Sequence, residues 1–458
     1  MTQLVDPQLH LTQLRAFREL NGGSNGHPWL SELRRAAQAR FEAVGLPTGK
    51  EEAWRFTNVA PLARTPFKLA PAPAAGTGAD VHKQFTFAGE AVAEIVVVNG
   101  RFSPELSKLG KLPRGVVVSS LGEAVASGNP LAQKHLSRYA DITRNPFVAL
   151  NTGFVQDGAF LFFPRSTTVD GPIHLLFVST SSATDPIVTH PRVLVVAEDN
   201  VEAQIVESYV GNEDGLYWTN AVTEIVAGAD CRLDHCKLNQ ESLAAYHVAT
   251  MQVEIGRSTQ FVSQSATIGG KLTRNDLNVI MAGQFAEATL NGLVLLRGNQ
   301  HCDNHTLLDH AQPNCPSHEL YKHVLDGHAT GVFKGQILVR QPAQKTDSKQ
   351  TSKSLLLSDD ASMNSQPALE IYADDVKCTH GSTIGPVDDD SVFYLRSRGV
   401  SLEAARHLLT YAFAADITRR IRVEPVRARL EDFMAAQHGL PQDLRINDLG
   451  AHDEAVIA

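Results

Sequence analysis

The sequence has no run of about 18 apolar residues, so it offers no helix able to cross a bilayer. Its first residues, MTQLVDPQLHLTQLRAFREL, lack the charged-then-apolar pattern of an export signal, which predicts a cytoplasmic protein. Cysteine is scarce: the five in 458 residues are odd in number and irregularly spaced. That excludes a disulfide framework and suits a reducing compartment. A basic surplus is also missing, since the formal net charge is −9. A chain built to neutralise nucleic-acid phosphates, or to anchor itself by a polybasic patch, would carry the opposite sign. Aromatic residues make up only 7%.

The common catalytic signatures are absent too. GLPTGKE (45–51) is one residue short of a phosphate-binding P-loop and sets Glu51 after the lysine, where a negative charge repels phosphate. The chain is therefore not expected to be an ATPase itself. It also lacks a strand-to-helix G-x-G-x-x-G, a G-x-S-x-G and a C-x-x-C.

What the chain does have is periodicity. HLTQLRAFREL and SELRRAAQARFEAVGL read as helices, with Gly45 and Pro47 as a stop, and PAPAAGTGAD (71–80) reads as a flexible connection. From about 155 short strand patterns take over. A short apolar run, a tight turn and an alternating strand recur, with turns at Asp199, Gly228, Gly256, Gly283, Gly327 and Asp374. The first three steps are 29, 28 and 27 residues; the last two, 44 and 47, call for inserted strands and loops. Near-constant steps predict a parallel β-solenoid, whose coils bury their inward residues only by stacking. A β-sandwich with chance spacing is the alternative. In LDHCKLNQ, Leu233 and His235 are expected on opposite faces.

From Ser401 the period returns to 3.6, with Ser401 as N-cap and Leu408, Leu409, Ala412, Phe413 and Ile417 along one side. A second helix carries Val426, Leu430, Phe433 and Met434 and is closed by Gly439 and Pro441. The pair either caps the solenoid or leaves an apolar face for a partner. Four segments follow: a helical region (1–90), a mixed connection (91–155), the β-helix core (156–396) and a helical domain (397–458).

Two clusters carry candidate chemistry. In HCDNHTLLDH, strand alternation puts His301, Asp303 and His305 on one face and Cys302 and His310 on the other, so they cannot all converge on one metal. Hydrogen-bonded polar residues are the expected reading. In DDVKCTHGSTIG (374–385), Cys378 and His380 project from the same face about 7 Å apart. Three readings stay open: two ligands of one metal, a thiol whose pKa the imidazole lowers, or an inert buried cysteine beside a satisfied histidine. As metal ligands they need others from outside the chain.

Three segments carry a resemblance to a known family. They are KEEAWRFTN (50–58), SHELYKHVLDGHATGVFKGQILVRQPAQKTDSKQTSKSLLLSDDASMNSQPALEIYADDVKCTHGSTIG, and the helix SLEAARHLLTYAFAADI. With these the chain resembles the SufB/SufD family of iron–sulfur cluster assembly proteins, and within it the SufD branch. SufB-type members carry extra N-terminal cysteines and a Glu-His-Glu pattern that this sequence lacks. The resemblance implies a right-handed parallel β-helix between helical ends. It implies a non-catalytic scaffold subunit that pairs with a SufB-like paralogue, or with a second copy of itself when isolated. It also implies a SufC-like ATPase docked on the C-terminal helices through Leu408, Leu409, Phe413 and Ile417. Sulfur then arrives from a cysteine desulfurase through its acceptor. Cys378 and His380 match the family's Cys-x-His, which implies that His380, with Cys378 beside it, holds iron or the nascent cluster jointly with SufB. Outside the family stand two alternatives: a carbohydrate-active or carbohydrate-binding β-helix, and a purely structural paralogue.

Overall fold

The computed structural model describes residues 27–437 apart from Ala88, together with His10 and Gln13. Of the expected helix HLTQLRAFREL only His10 and Gln13 are described, both helical, and the stop at Gly439 and Pro441 lies outside the described residues. The helix expected next runs from Pro28 to Val44, and Gly45 ends it in the left-handed region at φ 65°, its N–H bonded to the Phe41 carbonyl.

The core is a parallel β-solenoid of about 8 turns. Each coil contributes one strand to each of two facing sheets, of 12 and 11 strands. The first sheet steps outward from Gly158–Phe163 through Arg192–Ala197, Tyr217–Ala227, Tyr246–Ile255, Leu272–Met281, His301–His310 and Thr330–Val339 to Ser362–Ser365. The second runs from Thr168–Ser179 through Glu202–Gly211, Arg232–Gln240, Gln260–Thr267, Glu287–Leu296, Pro316–Leu325 and Asp347–Leu356 to Lys377–Gly385. Inward residues such as Ile205, Leu233, Phe261 and Leu290 of the second sheet meet Ile225, Val253 and Val279 of the first in one continuous core. Leu233 and His235 share the inner face, because residues two apart on a strand point the same way; the expectation of opposite faces was a miscount.

The expected insertions between 283 and 374 do not exist. Leu272 pairs with His301 and His301 with Thr330, while Ser317 pairs with Ser348 and Ser348 with Cys378. The step is as regular here as before. Gly283 follows a strand of the first sheet and Gly327 a strand of the second, so counting from one to the other adds half a coil. The true repeat mark is a corner residue in the left-handed region after each first-sheet strand. It falls at Ser166, Asn200, Asp230, Ser258, Phe285, Asn314 and Lys345. Each donates its N–H to a carbonyl of the next coil, for example Asn200 to Ala229, Ser258 to Gln284 and Lys345 to Asp375. Before three of these corners, at Gly228, Gly256 and Gly283, the coils stack backbone on backbone and only glycine fits: a Cβ at Gly283 would lie 2.0 Å from the Arg257 nitrogen.

The two ends differ. At the start, Ala93–Val98 extends the second sheet and Val117–Ser120 pairs antiparallel with Gly158–Phe163, closing the stack. At the finish, Lys377–Gly385 pairs only with Asp347–Leu356, so its other edge is free among the described residues. The C-terminal helices Leu402–Thr418 and Glu424–Gln437 do not cap that end. They lie on the outer face of the second sheet, against Cys236, Leu238, Leu293, Leu295, Val324 and Leu355. Ser401 is the N-cap, accepting from the Ala404 N–H.

Candidate functional site

In the final strand the alternation of side chains sets Cys378, His380 and Ser382 in one row, directly above Ser348, Gln350 and Ser352 of the coil below. That row faces the solenoid interior, but no further coil among the described residues covers it. Cys378 is half-buried and packs against the end of the core, whereas His380 is exposed. The strand's surroundings are apolar and open: Ile384 is 47% exposed, and Tyr372 at the end of the preceding strand 64%. The following helix, Asp389–Ser397, presents Phe393 at 74% and Tyr394 at 58%. Burial at the core's end raises the Cys378 thiol pKa; the Ser348 backbone hydrogen bond opposes this and the Asp347 charge adds to it. A thiol held protonated in this way is not an imidazole-activated nucleophile. Among the described residues, no group of three or more His, Cys, Asp or Glu side chains is arranged to hold a metal ion. Two neighbouring donors on an unpaired edge, one soft and one borderline, can therefore act only as part of a larger ligand set.

The HCDNHTLLDH cluster has a structural task. His301, Asp303 and His305 do share the outer face, as alternation requires. Thr57 hydrogen-bonds to both His301 and Asp303. Asp303 pairs with the Arg274 guanidinium at 2.5 Å; the same Arg274 donates to the Ala53 carbonyl at 2.8 Å and stacks 4.4 Å from the Trp54 ring. The cluster thus fastens the segment KEEAWRFTN to the solenoid wall. Burial opposes ionisation of Asp303, but Arg274 overrides it and holds the carboxyl far below the usual range.

Of the residues expected to meet an ATPase, Ile417 is 1% exposed and locked into the helix–sheet core. It faces the solenoid because the helix turns it toward Val324 and Leu355, so it cannot serve as partner surface. Phe413 is half-buried, with the Lys322 ammonium 4.5 Å from its ring, and Leu408 and Leu409 are half-buried on the same helix. Sequence reasoning missed Tyr372, Ile384, Phe393 and Tyr394, since nothing local in the sequence shows that no coil follows. A polar groove of about 590 Å³ crosses the second sheet between Gln204, Asp234, Gln260, Arg420 and Arg422. Phe261 is its one aromatic lining residue among those described, which leaves it without the stacking platforms of a sugar-binding groove.

Among the described residues, the parallel β-solenoid ends on a strand with one free edge that bears a thiol and an imidazole. Comparison with known proteins gives it a family. Residues 177–413 match the model of the SUF system FeS cluster assembly SufBD core domain, and 19–175 that of the SufBD protein N-terminal region. The chain is 32% identical to an iron–sulfur cluster assembly SufBD family protein of Synechocystis, over 89% of this chain and 91% of that one. It is 30% identical to the iron–sulfur cluster assembly protein SufD of Escherichia coli, over 84% and 88%. A chloroplastic protein of Arabidopsis thaliana, ABCI7, is 29% identical over 87% and 84%. The chain belongs to the SufBD family of iron–sulfur cluster assembly proteins. No helix among the described residues is long and apolar enough to cross a membrane.

Proposed function

We propose that this chain is the SufD-type, non-catalytic scaffold subunit of a cytoplasmic SufB–SufC–SufD complex that builds iron–sulfur clusters de novo. A SufB-like paralogue pairs along the free edge of Lys377–Gly385, where unpaired N–H and C=O groups are a ready template for another strand. Exposed Tyr372, Ile384, Phe393 and Tyr394 supply the apolar contact that backbone pairing alone lacks. His380, with Cys378 beside it, supplies part of the ligand set for iron or the nascent cluster, and the partner supplies the rest. Iron and sulfide are cargo here, the sulfur delivered by a cysteine desulfurase and its acceptor. A SufC-like ATPase docks on Leu402–Thr418 through Leu408, Leu409 and the outer edge of Phe413, and its nucleotide cycle strains the paired strands.

The observation that carries this reading is the pairing of an accessible imidazole with a half-buried thiol on a strand with a free edge. The test is complementation of a strain lacking its own copy. His380→Ala is expected to restore little or no activity of iron–sulfur enzymes while accumulating to the normal level. Full rescue by that variant sinks the site. A chain that never co-purifies with a SufB-like protein sinks the scaffold reading.

A further inference from the structure

The interior of the solenoid is not uniformly apolar. A file of buried polar side chains runs along it, and in its first half most members bond to one another. Glu207 accepts from Tyr209 at 2.7 Å and from Thr223 at 3.0 Å. The Lys237 ammonium donates to His247 at 2.9 Å and to Asn275 at 2.7 Å, and His247 pairs with Glu241 at 2.8 Å. Asn275 donates to Asn304 at 3.0 Å, and Asn304 to the Cys302 sulfur at 3.5 Å.

Beyond Asn304 the pattern changes. His323 is fully buried and neither ring nitrogen has a hydrogen-bond partner among the described residues. The same holds for Gln350 Oε1, Ser352 Oγ and Ser354 Oγ, on side chains no more than 5% exposed. These atoms are on the inner faces of two adjacent strands, with Ser354 in register beside His323. Left dry, each costs about 1–3 kcal/mol. Burial keeps the His323 imidazole neutral, lowering its pKa to about 3. It therefore has one nitrogen to donate and one to accept. What satisfies both, together with an amide oxygen and two hydroxyls, must itself donate and accept, which describes water rather than a metal ion.

Next to these atoms sits Glu319, fully buried and held by Gln350 at 2.6 Å with Thr306 facing it. Tyr321 and His323 share its strand, and His380 lies two coils along the same column. None of these neighbours is a lysine or arginine, so nothing neutralises its charge. Gly335 lets the Gln350 amide approach from the facing sheet, since a Cβ there would lie 2.2 Å from the amide nitrogen. Above lie Cys378, His380 and Ser382, in register with Ser348, Gln350 and Ser352 and open to solvent.

We propose that the last coils enclose a file of ordered waters joining Glu319 and His323 to solvent beneath the Cys378–His380–Ser382 row, and that Glu319 exchanges its proton along this file. The final strand then closes over a wet, proton-accepting carboxyl rather than over dry core. This holds whatever the strand binds.

The test is infrared difference spectroscopy of the full chain against Glu319→Gln. A protonated-carboxyl band is expected at pH 6 in the parent only, fading as the pH passes about 7. In D2O it is expected to shift within seconds, while the amides of Pro316–Leu325 stay protected. Filling the file with the Ser352→Val, Ser354→Val pair is expected to slow that shift by an order of magnitude or more. Three results overturn the proposal: no band at pH 6, a shift no faster than amide exchange, or a shift indifferent to the filled file. If the variants do not fold, a high-resolution crystal structure of the parent decides. Water density against both His323 nitrogens supports the file, and an empty void there overturns it.

Discussion

Phe285 holds a left-handed backbone conformation at a solenoid corner, with φ 61° and its ring 56% exposed. A bulky side chain pays a steric cost there of about 1 kcal/mol, and the exposed ring returns little burial energy. Phe285→Asn is expected to stabilise the protein by about that amount, read as a higher denaturant midpoint at unchanged slope. Glu319 sets a pH dependence. Burial raises its carboxyl pKa to about 7 in the folded chain, above the ordinary 4.5. Below 4.5 both states are protonated and nothing is lost; between 4.5 and 7 the unfolded chain has released this proton while the folded chain still holds it, so stability falls over that window and levels off above it. The full loss is about 3 kcal/mol. Glu319→Gln is expected to remove this slope between pH 5 and 7 in denaturation curves, relative to the parent. A parallel slope in the variant contradicts it. At this scale the sequence was informative about identity but not about setting. The spacing of Cys378 and His380 gave their shared face, since strand period alone decides that. Whether the thiol is activated, sealed or half-exposed depends on the coil below and the missing coil above, and neither is local.

Among the elements, the solenoid was legible from repeated turns because coils of similar length must stack in register. Its corners were not, because Ser, Asn, Asp, Phe and Lys all occupy the same left-handed position. What repeats there is a backbone hydrogen bond rather than a side chain. The count between 283 and 374 slipped for that reason: the turn glycines there, Gly298 and Gly327, both mark the opposite corner. The polar cluster at 301–310 was correctly expected to be hydrogen-bonded, but its partner 244 residues earlier could not be inferred from spacing. Asp303→Asn leaves the buried Arg274 guanidinium with Asp276 as its remaining counter-charge, at 2.7 Å, and is expected to destabilise by about 1–3 kcal/mol. Hydrogen exchange would show the loss first in residues 51–57. Uniform loss across the solenoid would instead mean that the N-terminal layer is not a separately attached element.

At the scale of the whole molecule, one end is closed by antiparallel strands and the other, among the described residues, has a free strand edge, where an assembly partner is expected. Leu408→Asp is expected to abolish co-purification of the SufC-like ATPase with little change in stability. Ile417→Asp, at a buried position, is expected to unfold the helix layer instead. The most direct measurement of the central claim is the iron content of the complex co-expressed with its SufB-like and SufC-like partners. With His380→Ala, the complex is expected to keep its composition by size-exclusion chromatography and to lose its iron. The same composition with undiminished iron would contradict it.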